Sequence, residues 1–197
     1  MFSTNDFASA DFAAHSPLHL NNFSQVVMFI VVEFQTFRVI FLGAAFGRIR
    51  KVADYQFGIG VGNILFPVGV EICYSKKTGR IRYVYLAGKR LATLRPTDGL
   101  FALSIYGAKR IITNSCNATC VVVVQNTVSP FIAKGGNVFA AHVLKANDEI
   151  RPKDEVIVVD EGKQVLAVGR ALLSGTEMEA FKTGVAVKVR RGYLEES

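Results

Sequence analysis

The sequence predicts an α+β fold of two small domains, a prediction that rests on composition, length and the spacing of turns. Half of the 197 residues are hydrophobic and 20% are charged, so the apolar surface can offset the conformational entropy lost on folding. At roughly 100 to 150 residues per domain, this length suits one or two domains and leaves little room for a (β/α)₈ barrel of about 250 residues. From residue 48 onward, short strand signals alternate with turns and brief helical signals.

The predicted first region, residues 1–47, contains an apolar stretch from Val26 to Phe46 that is long enough to span a bilayer. Glu33 and Arg38 lie near its centre and cost about 5 to 7 kcal/mol on insertion scales, which cancels the apolar gain. A buried helix or strand pair is therefore preferred to a membrane span at 26–46. No cationic segment precedes the stretch as in a signal peptide, and three cysteines are too few for a disulfide scaffold. We expect a cytoplasmic protein.

Residues 48–118 are predicted to form an α/β domain that contains a hairpin. Val70–Ser75 and Arg80–Leu86 flank a turn that contains a glycine. The period of two places the cations of this hairpin on the face opposite its apolar residues. The outward cations are Lys76, Lys77, Arg80 and Arg82, and the inward residues are Ile81, Tyr83 and Tyr85.

The rest of this domain is predicted as three short elements. Leu91–Arg95 is a strand that Pro96 and the following residues end. Leu100–Tyr106 is a short helix that Gly107 terminates, and Ile111 and Ile112 begin another strand.

Residues 119–197 are predicted to form a second, β-rich domain. Val121–Val124 is an apolar run typical of a buried strand, and Glu155–Val159 forms a hairpin with Gln164–Ala171. The spacing of Ser174 and Glu177 indicates a capping box that opens a short helix, which Gly184 ends. In the last strand, Val185–Arg190, alternate residues face inward. The inward residues are Val185, Val187 and Val189, and the outward ones are Ala186, Lys188 and Arg190.

The net charge of +7 lies entirely in the middle of the chain. Residues 48–134 hold thirteen lysines and arginines and three acids, whereas residues 135–197 hold nine bases and ten acids. A concentrated basic region is expected of a protein that binds a phosphate backbone. The alternative is a solvated surface with scattered cations.

Several motifs resemble known RNA-associated domains. The run from Lys134 to Ala140, together with Ile150–Val156 and Leu166–Ala171, resembles a PUA domain, a small β pseudo-barrel that binds RNA. The run from Val52 to Gly58, with Leu91–Pro96, resembles the domain that precedes the PUA domain in archaeal tRNA-guanine transglycosylases. The two resemblances cover residues 48 to 192.

The resemblance implies RNA binding, with tRNA as the expected RNA, through a glycine-rich loop and the last strand. Glycines at the loop would let RNA approach, and outward cations would meet phosphates. The implied RNA-binding residues are Lys134, Gly135, Gly136, Asn137, Val138, Phe139, Ala140, His142, Lys188 and Arg190, with Lys76, Lys77, Arg80 and Arg82 on the neighbouring hairpin. Near His142 this chain departs from the glycine found in many PUA domains.

No catalytic residue, cofactor or metal site is predicted. The catalytic barrel and aspartates of the transglycosylases have no matched positions, and Cys116 and Cys120 lack a second pair of zinc ligands. The three alternating glycines at positions 58, 60 and 62 do not fit the dinucleotide fingerprint and are interpreted as a helix end. We therefore expect a non-catalytic tRNA-binding subunit, with a separate transglycosylase chain as a candidate partner that docks on the apolar N-terminal segment.

Two alternatives remain open. The first is a stand-alone tRNA-modifying enzyme in which carboxylates such as Asp54 or Asp98 perform acid-base chemistry, although a helix cap or an ion pair with a nearby arginine is the simpler role for Asp54. The second is a ribosome-assembly factor that uses the same RNA-binding domain.

Overall fold

The structure, a computed structural model, describes residues 43–115 and 117–195. The predicted docking segment therefore lies almost wholly outside the described residues, as does Cys116. The described residues from Ala44 onward belong to one compact unit of mixed helix and sheet, which confirms the predicted fold class. No helix within the described part of the chain is long and apolar enough to cross a membrane.

The first half combines three helices with an antiparallel four-stranded sheet. Residues 43–57 form helix α1. The elements that follow are α2 (Val61–Leu65), β1 (Glu71–Tyr74), β2 (Ile81–Leu86), β3 (Lys89–Leu94), β4 (Phe101–Leu103) and α3 (Ile105–Asn114). The strand order is β1-β2-β3-β4. The aromatic rings of Phe57, Phe66 and Phe101 are fully buried in the core of this half.

The second half is a six-stranded, nearly closed sheet with two short helices. Its elements are β5 (Val121–Val124), α4 (Ser129–Ala133), β6 (Val138–Phe139), β7 (Val143–Ala146), β8 (Glu155–Val159), β9 (Val165–Ala171), α5 (Gly175–Ala180) and β10 (Val185–Gly192). The strand order is β6-β10-β9-β8-β5-β7, and only the β5–β8 pair is parallel among these strands. The predicted capping box is confirmed, because the Ser174 and Glu177 side chains each bond the other's backbone N–H.

Strand β8 joins the two halves because both of its faces are buried. Val156 and Val158 pack into the core of the second half. Ile157 and Val159 point the other way and pack into the core of the first half. A strand covered on both sides reads as a continuous apolar run, as this one does. The predicted domain boundary between residues 118 and 119 stays a prediction, since the halves share this core.

The elements predicted between residues 100 and 112 are wrong. Phe101–Leu103 is a strand paired with β3, and Ile111 and Ile112 lie within helix α3. The helix begins after Ser104, whose hydroxyl accepts a hydrogen bond from the Gly107 N–H at 3.0 Å. Gly107 does not end a helix: it lies in the first turn, where a Cβ would collide with a backbone carbonyl of β3.

Three smaller predictions in the hairpin and near the last strand also need correction. In β2 the fully buried side chain is Val84, on the face assigned to the cations, while Tyr83 and Tyr85 are only half-buried. In β10 Ala186 is fully buried rather than outward, because it packs into the second core. Helix α5 ends at Ala180, and Gly184 instead provides a positive φ of 93° directly before β10.

Candidate nucleic-acid interface

The β1–β2 hairpin presents a group of exposed cations, which we call the hairpin cations. They are Lys76, Lys77, Arg80 and Arg82. The turn closes when the Gly79 N–H donates to the Ser75 carbonyl at 2.8 Å, with Gly79 at a φ of +64° that favours glycine. None of the ion pairs found in residues 43–115 and 117–195 involves these four side chains. Their positive charge is therefore available to an anion.

The backbone conformation and the neighbouring side chains favour the glycine pair after α4. Gly135 has a φ of +93°, and a Cβ on it would lie 2.6 Å from a carboxylate oxygen of Glu195. A Cβ on Gly136 would collide with the ring of Phe131. Lys134, directly before the pair, is exposed. These internal contacts explain both glycines, and their approach to RNA stays a prediction.

The next residues of the loop divide into buried and exposed positions. Val138 and Ala140 are buried in the second core, and the Asn137 Oδ1 accepts a hydrogen bond from a backbone N–H of β10 at 3.0 Å. Phe139 is 44% exposed and His142 is half-buried. Both line a cavity of about 260 Å³ beside α4. Of the predicted loop residues, these two and the cation before the glycines are placed to touch a ligand.

Two cations lie side by side on neighbouring strands of the six-stranded sheet. Lys188 on β10 is the register partner of Arg170 on β9, and both are exposed. Like charges directly opposite each other in an antiparallel pair destabilise a sheet. Glu155 on β8 is the register partner of Arg170 on its other side, and it borders the same cavity of about 280 Å³ as both cations. The sequence pointed to Lys188 but not to Arg170, because the register between two strands is not visible in either strand alone.

Arg190 has an internal partner that links the two halves of the molecule. Its Nη2 forms an ion pair with Glu155 and donates to the Leu103 carbonyl at 2.6 Å. The Glu155 side chain is 1% exposed, and its Oε1 accepts a hydrogen bond from the Leu103 N–H at 2.9 Å. The Arg95 Nη1 lies 4.0 Å from its Oε2. Burial raises the pKa of Glu155, and the charge of Arg190 opposes that rise. The contact of Arg190 with phosphate stays a prediction.

Glu155 was missed as a site residue at the sequence level, although a signal existed. It is the single charged residue of an otherwise apolar strand, and a buried charge requires a partner. The partner itself could not be named, because Arg190 lies 35 residues away.

The carboxylates considered for catalysis have structural roles. The Asp54 Oδ1 accepts a hydrogen bond from the Gly62 N–H at 2.7 Å at the start of α2, which fits its interpretation as a cap. Asp98 pairs with Arg95 at 3.0 Å and accepts from a backbone N–H of the same turn. The glycine run joins α1 to α2, as the helix-end interpretation expects.

Cys120, one of the two cysteines considered as zinc ligands, is buried. Burial raises the pKa of the Cys120 thiol to about 12, so this group stays protonated. No cluster of three histidine, cysteine, aspartate or glutamate side chains that could hold a metal occurs within the described ranges.

Two domain families match the chain. Residues 47–116 match the patch-forming domain C2 of tRNA-guanine transglycosylase, and residues 121–193 match the PUA domain. Both matches confirm the resemblance seen in the motifs.

The related sequences are archaeal proteins described as tRNA-guanine(15) transglycosylase. The protein of Pyrococcus furiosus is 48% identical over 147 residues, which cover 75% of this chain and 25% of that protein. The protein of Methanobrevibacter smithii is 41% identical over 145 residues, which cover 74% of this chain and 22% of that protein. The chain therefore spans about a quarter of the length of these relatives.

Solved structures share the fold at low sequence identity. A hypothetical protein from Pyrococcus horikoshii has a TM-score of 0.62 at 23% identity, over 75% of this chain and 89% of that one. A conserved PUA domain protein from Thermoplasma acidophilum has a TM-score of 0.56 at 21% identity, over 76% and 89%. These likenesses show the arrangement of both halves.

Proposed function

We propose that this chain, which carries a C2 domain of tRNA-guanine transglycosylase followed by a PUA domain, binds tRNA as a non-catalytic subunit or accessory factor of tRNA modification. The observation that carries the proposal is the set of hairpin cations, which have no acidic partner in the described residues. Such cations gain most from a polyanion, because each phosphate they neutralise releases a condensed counterion.

The second half contributes a surface with little net charge. Lys134, Phe139 and His142 lie on the predicted RNA-binding loop, and Lys188 faces Arg170 across the last sheet. An aromatic ring can stack on an unpaired base, while the cations bind phosphates. We infer that the hairpin cations attract the RNA electrostatically, whereas the PUA domain recognises its bases and backbone.

A separate transglycosylase chain is the partner that we propose. The matched region makes up about a quarter of the length of the relatives. A separate chain that carries this region is suited to provide it to a catalytic chain that lacks it. We place the activity in the cytoplasm, where reduced thiols such as Cys73 and Cys120 persist.

Filter binding of bulk tRNA across a range of salt concentrations tests the proposal. We expect Lys76→Ala/Arg82→Ala to weaken binding and to lower the slope of log affinity against log salt by about 2, roughly one per lost phosphate contact. The matched control is Lys51→Ala/Lys182→Ala, which removes the same charge from two exposed positions outside the proposed interface. Equal affinity and slope for the two double variants would overturn the proposal.

Two further measurements separate the alternatives. Turnover of a modified-base precursor by the purified chain alone would replace the accessory role with an enzymatic one. Sequencing of RNA crosslinked to the protein in cells tests the RNA class, since recovery of ribosomal RNA in place of tRNA would favour a ribosome-assembly factor.

A further inference from the structure

A cleft of about 600 Å³ lies where the two halves of the molecule meet, a volume typical of small-ligand sites. It is bordered by the turn between β2 and β3, by helix α3 and by the short 3₁₀ turn Tyr193–Glu195 that follows β10. Three tyrosines and three cations dominate its lining. They are Tyr85, Tyr106, Tyr193, Lys89, Arg90 and Lys109.

The charged side chains that line the cleft are all positive among the residues that the structure describes. Within these residues its lining contains no aspartate or glutamate, and none of its three cations takes part in an ion pair. The Lys109 ammonium lies 4.0 Å from the centre of the Tyr193 ring, and the Lys89 ammonium lies 5.2 Å from that of Tyr106. The rings therefore hold both ammonium groups at the wall of the cleft, where their remaining donors can meet an anion.

Both halves of the protein are needed to build this cleft. On one side, Ala87 and Gly88 have φ values of +48° and +73° in a tight hairpin turn, which leads directly into Lys89. On the other side, the Glu195 carboxylate accepts a hydrogen bond from the Gly192 N–H at 2.9 Å and packs against Gly135. This anchoring fixes the turn that carries Tyr193.

We propose that this cleft binds one unpaired nucleotide of the RNA, an inference that rests on the RNA binding proposed above. Lys89 and Lys109 bind its phosphate, and a tyrosine ring stacks on its base. Charge-assisted hydrogen bonds and base–aromatic stacking match the two chemical parts of a nucleotide. An acidic peptide would use the cations alone and would gain nothing from stacking on a ring.

Fluorescence anisotropy of a labelled single-stranded RNA tetranucleotide, added to the whole protein, tests the site. Lys89→Ala/Lys109→Ala is expected to lower its affinity at least about tenfold, whereas the matched control Lys51→Ala/Lys182→Ala changes it less than about twofold. Tyr193→Ala is expected to weaken binding by about five- to 150-fold, the range for loss of one stacked base, and Tyr193→Phe retains it. Thermal melting of each variant confirms that it is folded.

Equal affinity of the cleft variant and its control would overturn the nucleotide site. The proposed function would still stand if the hairpin variant Lys76→Ala/Arg82→Ala lost tRNA binding in the same preparation. Failure of the unaltered protein to bind either tRNA or the tetranucleotide would instead overturn both. Inorganic phosphate that competes as well as a nucleoside monophosphate would reduce the site to an anion site and refute the stacking.

Discussion

The β1–β2 hairpin and strand β10 both carry cations predicted to bind RNA, yet their surroundings differ. On the hairpin, four exposed cations in the turn and at the start of β2 have no acidic partner in the described residues. On β10, Lys188 is exposed, but the Arg190 guanidinium reaches Glu155 and the first half of the molecule. A basic residue on an outward strand position can thus serve a ligand or the fold, and a buried acid within its reach decides which.

The largest effect is expected at Glu155. Glu155→Ala leaves the Arg190 guanidinium without its carboxylate and removes the acceptor of the Leu103 N–H, which costs about 3 kcal/mol of unfolding free energy. Urea denaturation measures this loss. A cost below about 1 kcal/mol would show that the link between the halves is dispensable and that β10 resembles the hairpin after all.

Substitutions of two nearby residues on β10 should distinguish a cation that stabilises the fold from one that binds a ligand. Arg190→Ala is expected to lower the unfolding free energy by about 2 kcal/mol, because it removes the nearer of the two arginines that pair with the buried Glu155 carboxylate. Lys188→Ala is expected to leave stability within about 0.5 kcal/mol and to weaken tRNA binding by about three- to tenfold. Urea denaturation and tRNA filter binding of both variants check this. Equal changes in stability and in tRNA affinity for the two variants would contradict this difference between Arg190 and Lys188.

Stability should also depend on pH through Glu155. Burial raises its pKa above the ordinary value of 4.5, so the folded state binds the proton more tightly than the unfolded state. The contribution of this carboxyl is fully present below pH 4.5 and is lost as the pH rises through the folded-state pKa. Glu155→Gln should remove this decline, which urea denaturation between pH 4 and 8, at intervals of about one unit, would reveal. Identical pH profiles for both proteins would refute it.

The smallest effect concerns the stability of the hairpin. Lys76→Ala/Lys77→Ala is expected to change the unfolding free energy by less than about 0.5 kcal/mol, because both side chains are exposed and neither takes part in an ion pair within the described ranges. Thermal melting at two salt concentrations measures it. A marked loss of stability would mean that these cations, like Arg190, serve the fold.

Local signals predicted much of the molecule. The glycine turn of the hairpin, the apolar runs of β5 and β8 and the capping box at Ser174 each depend on residues within a few positions of one another. The region from residue 100 to 112 was mispredicted because pairing with β3 made a strand of Phe101–Leu103, and close packing on β3 placed Gly107 inside a helix. Both causes lie outside the segment itself.

The sequence by itself determined the fold class, the two domain families and the concentration of charge between residues 48 and 134. Only the tertiary structure decided which cations are available to a ligand. The Arg190 guanidinium meets a backbone carbonyl 87 residues away, and Tyr193 meets Lys109 across the junction of the halves. Such contacts depend on how sheets and helices pack, because a side chain's partner is set by position in space and not by separation along the chain.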